Sequence, residues 1–269
     1  MAERAPVHEV PRIRRARGFR LYDVSGRRLL DLWQAGGEAV IGHRSARAAA
    51  ALKAALARGL AGPLPTAWEW RLVAALAARF PAYRAVRLYA SRERALAAAG
   101  RMLGAPVAPA DVADPGLGTP GAGQVGLWRP FLPFEPSWPV LLPVLPFTVG
   151  GSPAAVCFRD ALPPEAEPSD TVPGIMAVAA LRGLAGLAQA RAADPFGPGD
   201  LDGARGWERR GPYLRATFDA GSYPEVFRAF LARGVLLSPQ YPGPSILPGE
   251  ASEGERRLVV SLFHSIPGG

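Results

Sequence analysis

Lys53 is the only lysine in this chain, set against thirty arginines. Imine chemistry on a carbonyl compound needs a primary side-chain amine that burial can make nucleophilic, and a guanidinium cannot take that role. The chemistry therefore turns on where Lys53 lies. It falls in a stretch that Ser45 can N-cap as a helix to about Leu60, with Leu52, Leu56 and Leu60 as an inward stripe and Gly62-Pro63 as the stop. Lys53 borders that stripe, where its stem can lie along apolar surface with the amine in water.

The other reactive side chains give no constellation. Cys157 follows Ala154, Ala155 and Val156 in an apolar run, the setting of an inert packed thiol, so a Cys157/His43 nucleophile pair is not expected. A single cysteine also excludes an intrachain disulfide and a Cys-based metal site. His8, His43 and His264 are scattered, and none has a second ligand at helical spacing, so no metal is expected and each reads as structural or exposed. Gly116, Gly118 and Gly121 match G-x-G-x-x-G, but Pro120 lies inside, no strand precedes and no helix follows, which leaves a phosphate no helix N-terminus to bind. No carboxylate spacing marks an acid–base pair.

The elements that would position these residues follow from periodicity and turn chemistry. Phe19–Trp33 alternates around Ser25-Gly26 as a hairpin. A second helix is expected over about 67–80, with Leu72, Val73, Leu76 and Phe80 inward. A strand over 86–90 then leads to a helix capped by Ser91 and ending near Leu103. Gly104–Gly126 is poor in bulky apolar residues and reads as a flexible connector. Buried strands are expected over 140–145 and 154–158. A helix capped by Ser169-Asp170 should run from about Pro173 to Ala193, with a domain boundary near Asp194. The tail reads as strands over 213–218, 235–237 and 245–247, a helix over 223–233 with Val226, Phe227, Phe230 and Leu231 inward, and a last helix from Ser252.

At 269 residues, 49% apolar and 20% charged, the chain is an ordinary globular protein by composition. Its net charge of +8 is uneven: eight arginines face only Glu3, Glu9 and Asp23 in the first 28 residues. A basic arm for nucleic acid is one reading, but no aromatic platform or recognition-helix pattern accompanies it, so a solvated or subunit-packing arm is preferred. The uncharged run 136–158 is long enough to span a bilayer, but Pro139, Pro143, Pro146, Pro153 and Gly150-Gly151 interrupt any helix there. With no signal or transit pattern, a cytoplasmic location is expected.

Two stretches resemble a known family. Leu21-Tyr22-Asp23-Val24-Ser25-Gly26-Arg27-Arg28-Leu29-Leu30-Asp31, then Gly36-Gly37 and Ile41-Gly42-His43, is similar to the N-terminal signature of the class III aminotransferases, pyridoxal-phosphate enzymes of fold type I that include glutamate-1-semialdehyde aminomutase. Phe230 to Pro239 and Glu253 to Val259 resemble the family's small C-terminal domain. The resemblance implies an α/β fold of the PLP-transferase type I kind, with a reduced central domain on a mostly parallel sheet and a small α+β C-terminal domain. The expected division is 1–44 for an arm and hairpin, 45–194 for the large domain with 104–126 as connector, and 195–269 for the small domain.

Scaffold resemblance exceeds site resemblance. The family's Ser-Gly-Thr-Glu-Ala turn, whose backbone N–H groups cradle the cofactor phosphate, reads here Ser91-Arg92-Glu93-Arg94-Ala95. A glycine has become Arg92 and a hydroxyl has become Glu93, while Arg92 and Arg94 can offset the added negative charge. The family's pyridine-stacking aromatic and ring-nitrogen aspartate fall in a segment mostly replaced by the connector, where Asp111 and Asp114 lack a strand to aim them inward. Phe147 occupies the place of the family's lysine, three residues before Gly150-Gly151-Ser152-Pro153. Val172-Pro173-Gly174 resembles the family's Asn-Pro turn, with Thr171 near the position of a phosphate-reaching threonine. The resemblance thus implies Ser91, Arg92 and Thr171 as vestigial cofactor contacts.

The resemblance implies a chain that has lost transamination, with no cofactor expected, acting as a homodimer or as a heterodimer with a full-length aminotransferase-like paralogue. Two alternatives stand beside it: a PLP or pyridoxamine-phosphate enzyme working without the lysine, and a basic-arm binder of nucleic acid or an acidic partner.

Overall fold

The structure, a computed structural model, describes residues 6–118, 123–148, 150–163, 166–190 and 195–265. The position named as a domain boundary, Asp194, and Gly121 of the glycine motif lie outside the described residues. In chain order the strands are β1 Ile13–Arg17, β2 Arg20–Asp23, β3 Arg28–Asp31, β4 Ala85–Tyr89, β5 Val125–Trp128, β6 Val140–Pro143, β7 Ala154–Phe158, β8 Trp207–Arg210, β9 Tyr213–Ala216, β10 Val235–Leu236 and β11 Ser245–Ile246. The helices are α1 Ala46–Ala57, α2 Ala67–Arg79, α3 Arg92–Leu103, α4 Gly174–Gln189, α5 Tyr223–Ala232 and α6 Glu253–Ser265. The chain divides into two compact units, one of Met1–Arg44, Phe131–Pro133 and Ala190–Gly269, the other of Ser45–Pro130 and Phe134–Gln189. Among the described residues no helix is long and apolar enough to cross a membrane.

The first unit joins the two ends of the chain. Its larger sheet has the order β1-β2-β3-β10, and β10 pairs parallel with β3, Val235 opposite Leu30 and Leu236 opposite Asp31. The expected hairpin is present: Leu21 faces Leu29 across a turn whose Gly26 has φ 89°. The N-terminal residues read as a solvated arm include β1, a strand of charged residues that tertiary pairing alone stabilises. A second sheet, β11-β9-β8, closes the core with α5 and α6. Trp207 meets Phe218 and Phe263 edge to face at 5.4 and 4.8 Å, and Phe230 meets Phe263 at 4.9 Å.

In the second unit one four-stranded sheet, order β4-β7-β6-β5, carries helices on its faces. The α/β class holds, but strand directions are mixed: β5 and β6 are parallel, while β7 is antiparallel to both β4 and β6. The ten residues between β6 and β7, 144–153, are fewer than the crossover that a parallel pair requires. Ser45 caps α1 as expected, its hydroxyl accepting from Ala48 N at 3.3 Å. The helix ends before Gly59, at φ 74°, so the inward side is Ala48 and Ala55 and Leu56 is exposed, in place of a Leu52/Leu56/Leu60 stripe. Leu72, Leu76 and Phe80 face the core as the spacing of α2 requires.

The connector expectation is corrected. Val112 is buried, Ala113 bridges Gly126 in parallel, and β5 follows with all four residues buried, so residues 112–118 and 125–126 are packed structure while 104–106 and 108–111 are exposed. Ser169 and Asp170 do not cap α4, which begins at Gly174; the backbone N–H groups of Leu88 and Ala90 take them instead.

One partly buried ion pair ties β2 to α6. Arg20 Nε and Nη2 donate to Glu255 Oε1 and Oε2 at 2.9 and 2.7 Å, and Glu255 also accepts from Ser252 N at 2.8 Å. Burial pushes the Glu255 carboxyl up, but the Arg20 hydrogen bonds and those of Ser252 outweigh it and bring its pKa down to about 2. A carboxyl depressed from its ordinary 4.5 to about 2 adds stability that is fully present above pH 4.5 and lost as pH falls toward 2. Glu255→Gln is expected to cost about 2–3 kcal/mol at neutral pH. Denaturant unfolding across this pH range should show a shallower acid decline in the variant than in the parent chain.

Candidate functional site

The turn that opens α3 is where an anion would bind, since the first N–H groups of a helix lack partners within it. Ser91 stands in extended backbone at φ −148°, and its hydroxyl accepts from Arg94 N at 3.3 Å while its carbonyl accepts from Ala95 N at 3.1 Å. Glu93 brings a carboxylate of the chain's own to the same turn. The Ser91 hydroxyl first, and then the Glu93 backbone N–H, hold that carboxyl below its ordinary range. The helix end is supplied with negative charge from within.

Arg94 leans away from the turn and clamps the segment beside β4. Its Nε and Nη2 donate to Asp170 at 3.3 and 2.7 Å, and Nη2 also donates to Glu167 at 2.9 Å. Glu167 pairs in addition with Arg101. Asp170 accepts from Ala90 N at 2.9 Å, and the Arg94 guanidinium holds its carboxyl below the usual range. Thr171, the next residue, is exposed.

Asp114, expected to lack a strand to aim it inward, is aimed inward. Arg129, 6% exposed at the end of β5, donates from Nε and Nη2 to its two carboxylate oxygens at 2.6 and 2.5 Å. Gly116 N also donates to Asp114 at 3.0 Å. A Cβ on Gly116 would stand 2.9 Å from Arg129 Cδ, so this glycine of the G-x-G-x-x-G match serves packing around the pair. Asp111 instead accepts from Ala108 N at 2.8 Å. The same charges reach Arg92: it is exposed, yet loss of water around the guanidinium and then the like charge of Arg129 lower its pKa. Ser91, Arg92, Glu93, Asp114 and Arg129 thus form one electrostatic neighbourhood. Arg129 carries no periodicity or motif, and only the folded sheet brings it to Asp114.

Phe147 stands in a turn after β6 with φ 61°, a conformation that costs a non-glycine residue energy, and it is half-buried outside the buried clusters of this unit. Three features set the turn. Thr148 Oγ1 donates to Leu145 O at 2.9 Å, Gly150 and Gly151 follow at φ 60° and 74°, and α4 presses against Pro146 at Gly183. Lys53 is on the exposed side of α1.

The remaining candidates have structural places. His43 Nε2 and Asp31 Oδ2 lie 2.6 Å apart, and Asp31 also accepts from Trp33 N and Gln34 N. His264 Nε2 lies 3.2 Å from Asp200 O, and His8 is exposed. Cys157 is fully buried, and burial pushes its thiol up to about 12, so it has no thiolate to react at neutral pH. No group of three or more metal-ligating side chains occurs among the described residues.

This geometry belongs to a recognisable architecture. An omega-transaminase from Sphaerobacter thermophilus superposes with a TM-score of 0.69 at 16% identity, over 95% of this chain and 90% of that one. The fold is that of the class III aminotransferases. No family model matches the chain. An uncharacterized protein of Treponema pallidum (strain Nichols) is 32% identical over 287 residues, covering 88% of this chain and 89% of that protein, and the chain belongs to the same family. The glutamate-1-semialdehyde 2,1-aminomutase of Heliobacterium modesticaldum (strain ATCC 51547 / Ice1) is 38% identical over 90 residues, which are 34% of this chain and 21% of that enzyme.

Pyridoxal phosphate held as an imine requires an amine for its aldehyde and free N–H donors for its phosphate. Phe147 offers no amine, Lys53 lies on the α1 surface, and the first turn of α3 already faces Glu93. The residues present do not fit the covalently held cofactor.

The Phe147 turn depends on the bare Cα of Gly183, since a Cβ there would stand 2.1 Å from Pro146 O. Gly183→Ala is therefore expected to destabilise this unit by about 1–3 kcal/mol and to displace the turn. Thermal unfolding and the amide chemical shifts of 145–148 check this; an unchanged turn with unchanged stability would contradict it.

Proposed function

We propose that the chain keeps the class III aminotransferase scaffold without its imine chemistry and acts by association with another protein chain, as partner or regulator. The carrying observation is Phe147, an aromatic ring on a positive-φ turn where the resemblance sets the reacting amine. Two further features support the reading. The α3 turn meets a carboxylate of its own in Glu93, and the partly buried Asp114 is bound at both oxygens by Arg129, which leaves it no free oxygen to hold a pyridine nitrogen protonated. Association is supported by three large apolar side chains on α1, α2 and the segment between them: Leu56, Leu64 and Trp70 are 53%, 58% and 71% exposed. The partner in this reading is a second copy or a full-length aminotransferase-like chain.

Titration with pyridoxal phosphate, followed by borohydride reduction and peptide mapping, is expected to give only weak, non-saturating labelling of Lys53, as for any surface amine. Pyridoxamine phosphate is expected to produce no saturable heat in calorimetry. One saturable equivalent of trapped aldehyde would overturn the reading. Saturable pyridoxamine-phosphate binding would replace it with an enzyme that works without the lysine.

A further inference from the structure

The strand β1 is open on one side. It pairs with β2 through Ile13 opposite Asp23, Arg15 opposite Tyr22, Ala16 opposite Leu21 and Arg17 opposite Arg20, with an irregularity between Ile13 and Arg15. Its sheet has the order β1-β2-β3-β10, so among the described residues no strand lies on its outer edge. Such an edge presents unpaired N–H and C=O groups to whatever extended chain can approach. Ile13, Arg14, Arg15 and Arg17 are exposed, as is Arg12 just before the strand. Arg15 stacks over the Tyr22 ring at 5.5 Å, and no carboxylate among the described residues pairs with any of these four arginines.

Charge on an edge strand commonly serves to keep copies of a protein from pairing edge to edge. Here it does that and something more selective. A second β1 laid along this edge would set arginine against arginine, which disfavours a second copy. An extended chain rich in carboxylates meets the opposite: backbone donors and acceptors along the edge beside residues 15–17, the guanidiniums of Arg15 and Arg17 on one face of the strand, and the exposed Arg14 at the irregularity before them. The four arginines Arg12, Arg14, Arg15 and Arg17, which no carboxylate among the described residues offsets, extend the attraction beyond contact range and favour encounter with an acidic chain.

We propose that β1 is a docking strand for an extended acidic segment of a partner protein, which adds to the outer edge of the β1-β2-β3-β10 sheet as a fifth strand. The proposal rests on the reading that the chain works by association, and it names the chemistry of the partner.

The test uses the full chain and three fluorescein-labelled probes at fixed salt: an octapeptide of alternating Glu and Val, one of alternating Glu and Pro with the same charge, and an oligothymidylate of matching charge. Fluorescence anisotropy is expected to show the Glu-Val peptide binding about tenfold or more tighter than the Glu-Pro peptide, because proline removes the N–H groups that an added strand must donate. The double variant Arg15→Glu/Arg17→Glu should lose about tenfold or more in affinity, and Arg15→Gln/Arg17→Gln less. Both sites are exposed, so an unchanged unfolding midpoint identifies a loss of docking and not of fold. Equal binding of the two peptides would reduce the edge to a diffuse cation patch and overturn the proposal. So would tighter binding of the oligothymidylate, or no peptide binding at all. None of these outcomes involves the vitamin B6 aldehyde, so failure here leaves the association reading standing, and imine formation at Lys53 would remove that reading whatever the peptides do.

Discussion

A carboxylate taken out of water needs positive charge or several hydrogen-bond donors beside it, and in the larger unit Asp114 obtains both from Arg129 and Gly116. Much of the local structure follows from that one pair. It draws residues 112–116 against β5, where Ala113 bridges Gly126, and it requires Gly116 to remain without a side chain. It also fixes the electrostatics at the start of α3, because Arg129 repels Arg92 while Asp114 attracts it. With Glu93 on the same turn and Arg94 committed to Asp170 and Glu167, positive and negative groups are matched within the chain. A dianion arriving there would have to compete with the Glu93 carboxylate for the first turn of α3 and would meet the negative charge of Asp114 nearby.

The smaller unit rests on a different constraint, the joining of distant sequence. Arg20 reaches Glu255, Arg228 reaches Glu9, and Arg27 donates to the carbonyls of Leu231 and Ala232 where α5 ends. The β3–β10 pairing runs through the same region, with Asp31 of β3 also holding His43. A guanidinium serves each clamp well, because its planar fork of donors can satisfy two acceptors at once. The resemblance seen separately at the two ends of the sequence thus marks one folded body.

The parts of this fold legible in the sequence are those that local chemistry decides. Ser45 and Ser91 cap their helices, Gly26 makes its turn, and 154–158 is a buried strand, because each signal is complete within a few residues. Phe147 could be singled out only by resemblance; its backbone strain is set by α4 and by the glycines that follow, which no window around it reports. The elements that escaped are those whose partners are remote. β1 and β8, Ile-Arg-Arg-Ala-Arg and Trp-Glu-Arg-Arg, lack the apolar alternation of a half-buried strand and exist because β2 and β9 pair with them. Ser169 and Asp170 have the chemistry of a helix cap, but the N–H groups of the neighbouring strand compete for the same oxygens and win.

The arginines differ in how the fold engages them. A compositional bias explains why the chain has thirty arginines and one lysine, but not which of them are engaged. Arg20, Arg94, Arg129, Arg209 and Arg256 each donate to two or more acceptors, and those acceptors are carboxylates or carbonyls of the same unit. Arg12, Arg14, Arg15 and Arg17 have no carboxylate partner among the described residues and cluster at one strand edge. Arg44, Arg58, Arg84, Arg182, Arg205 and Arg233 are likewise exposed without a carboxylate partner among the described residues, but they are scattered, where each is solvated at little cost; the four along the open strand are adjacent and repel one another. Negative charge placed along that edge would relieve the repulsion, which is the electrostatic basis of the proposed docking strand.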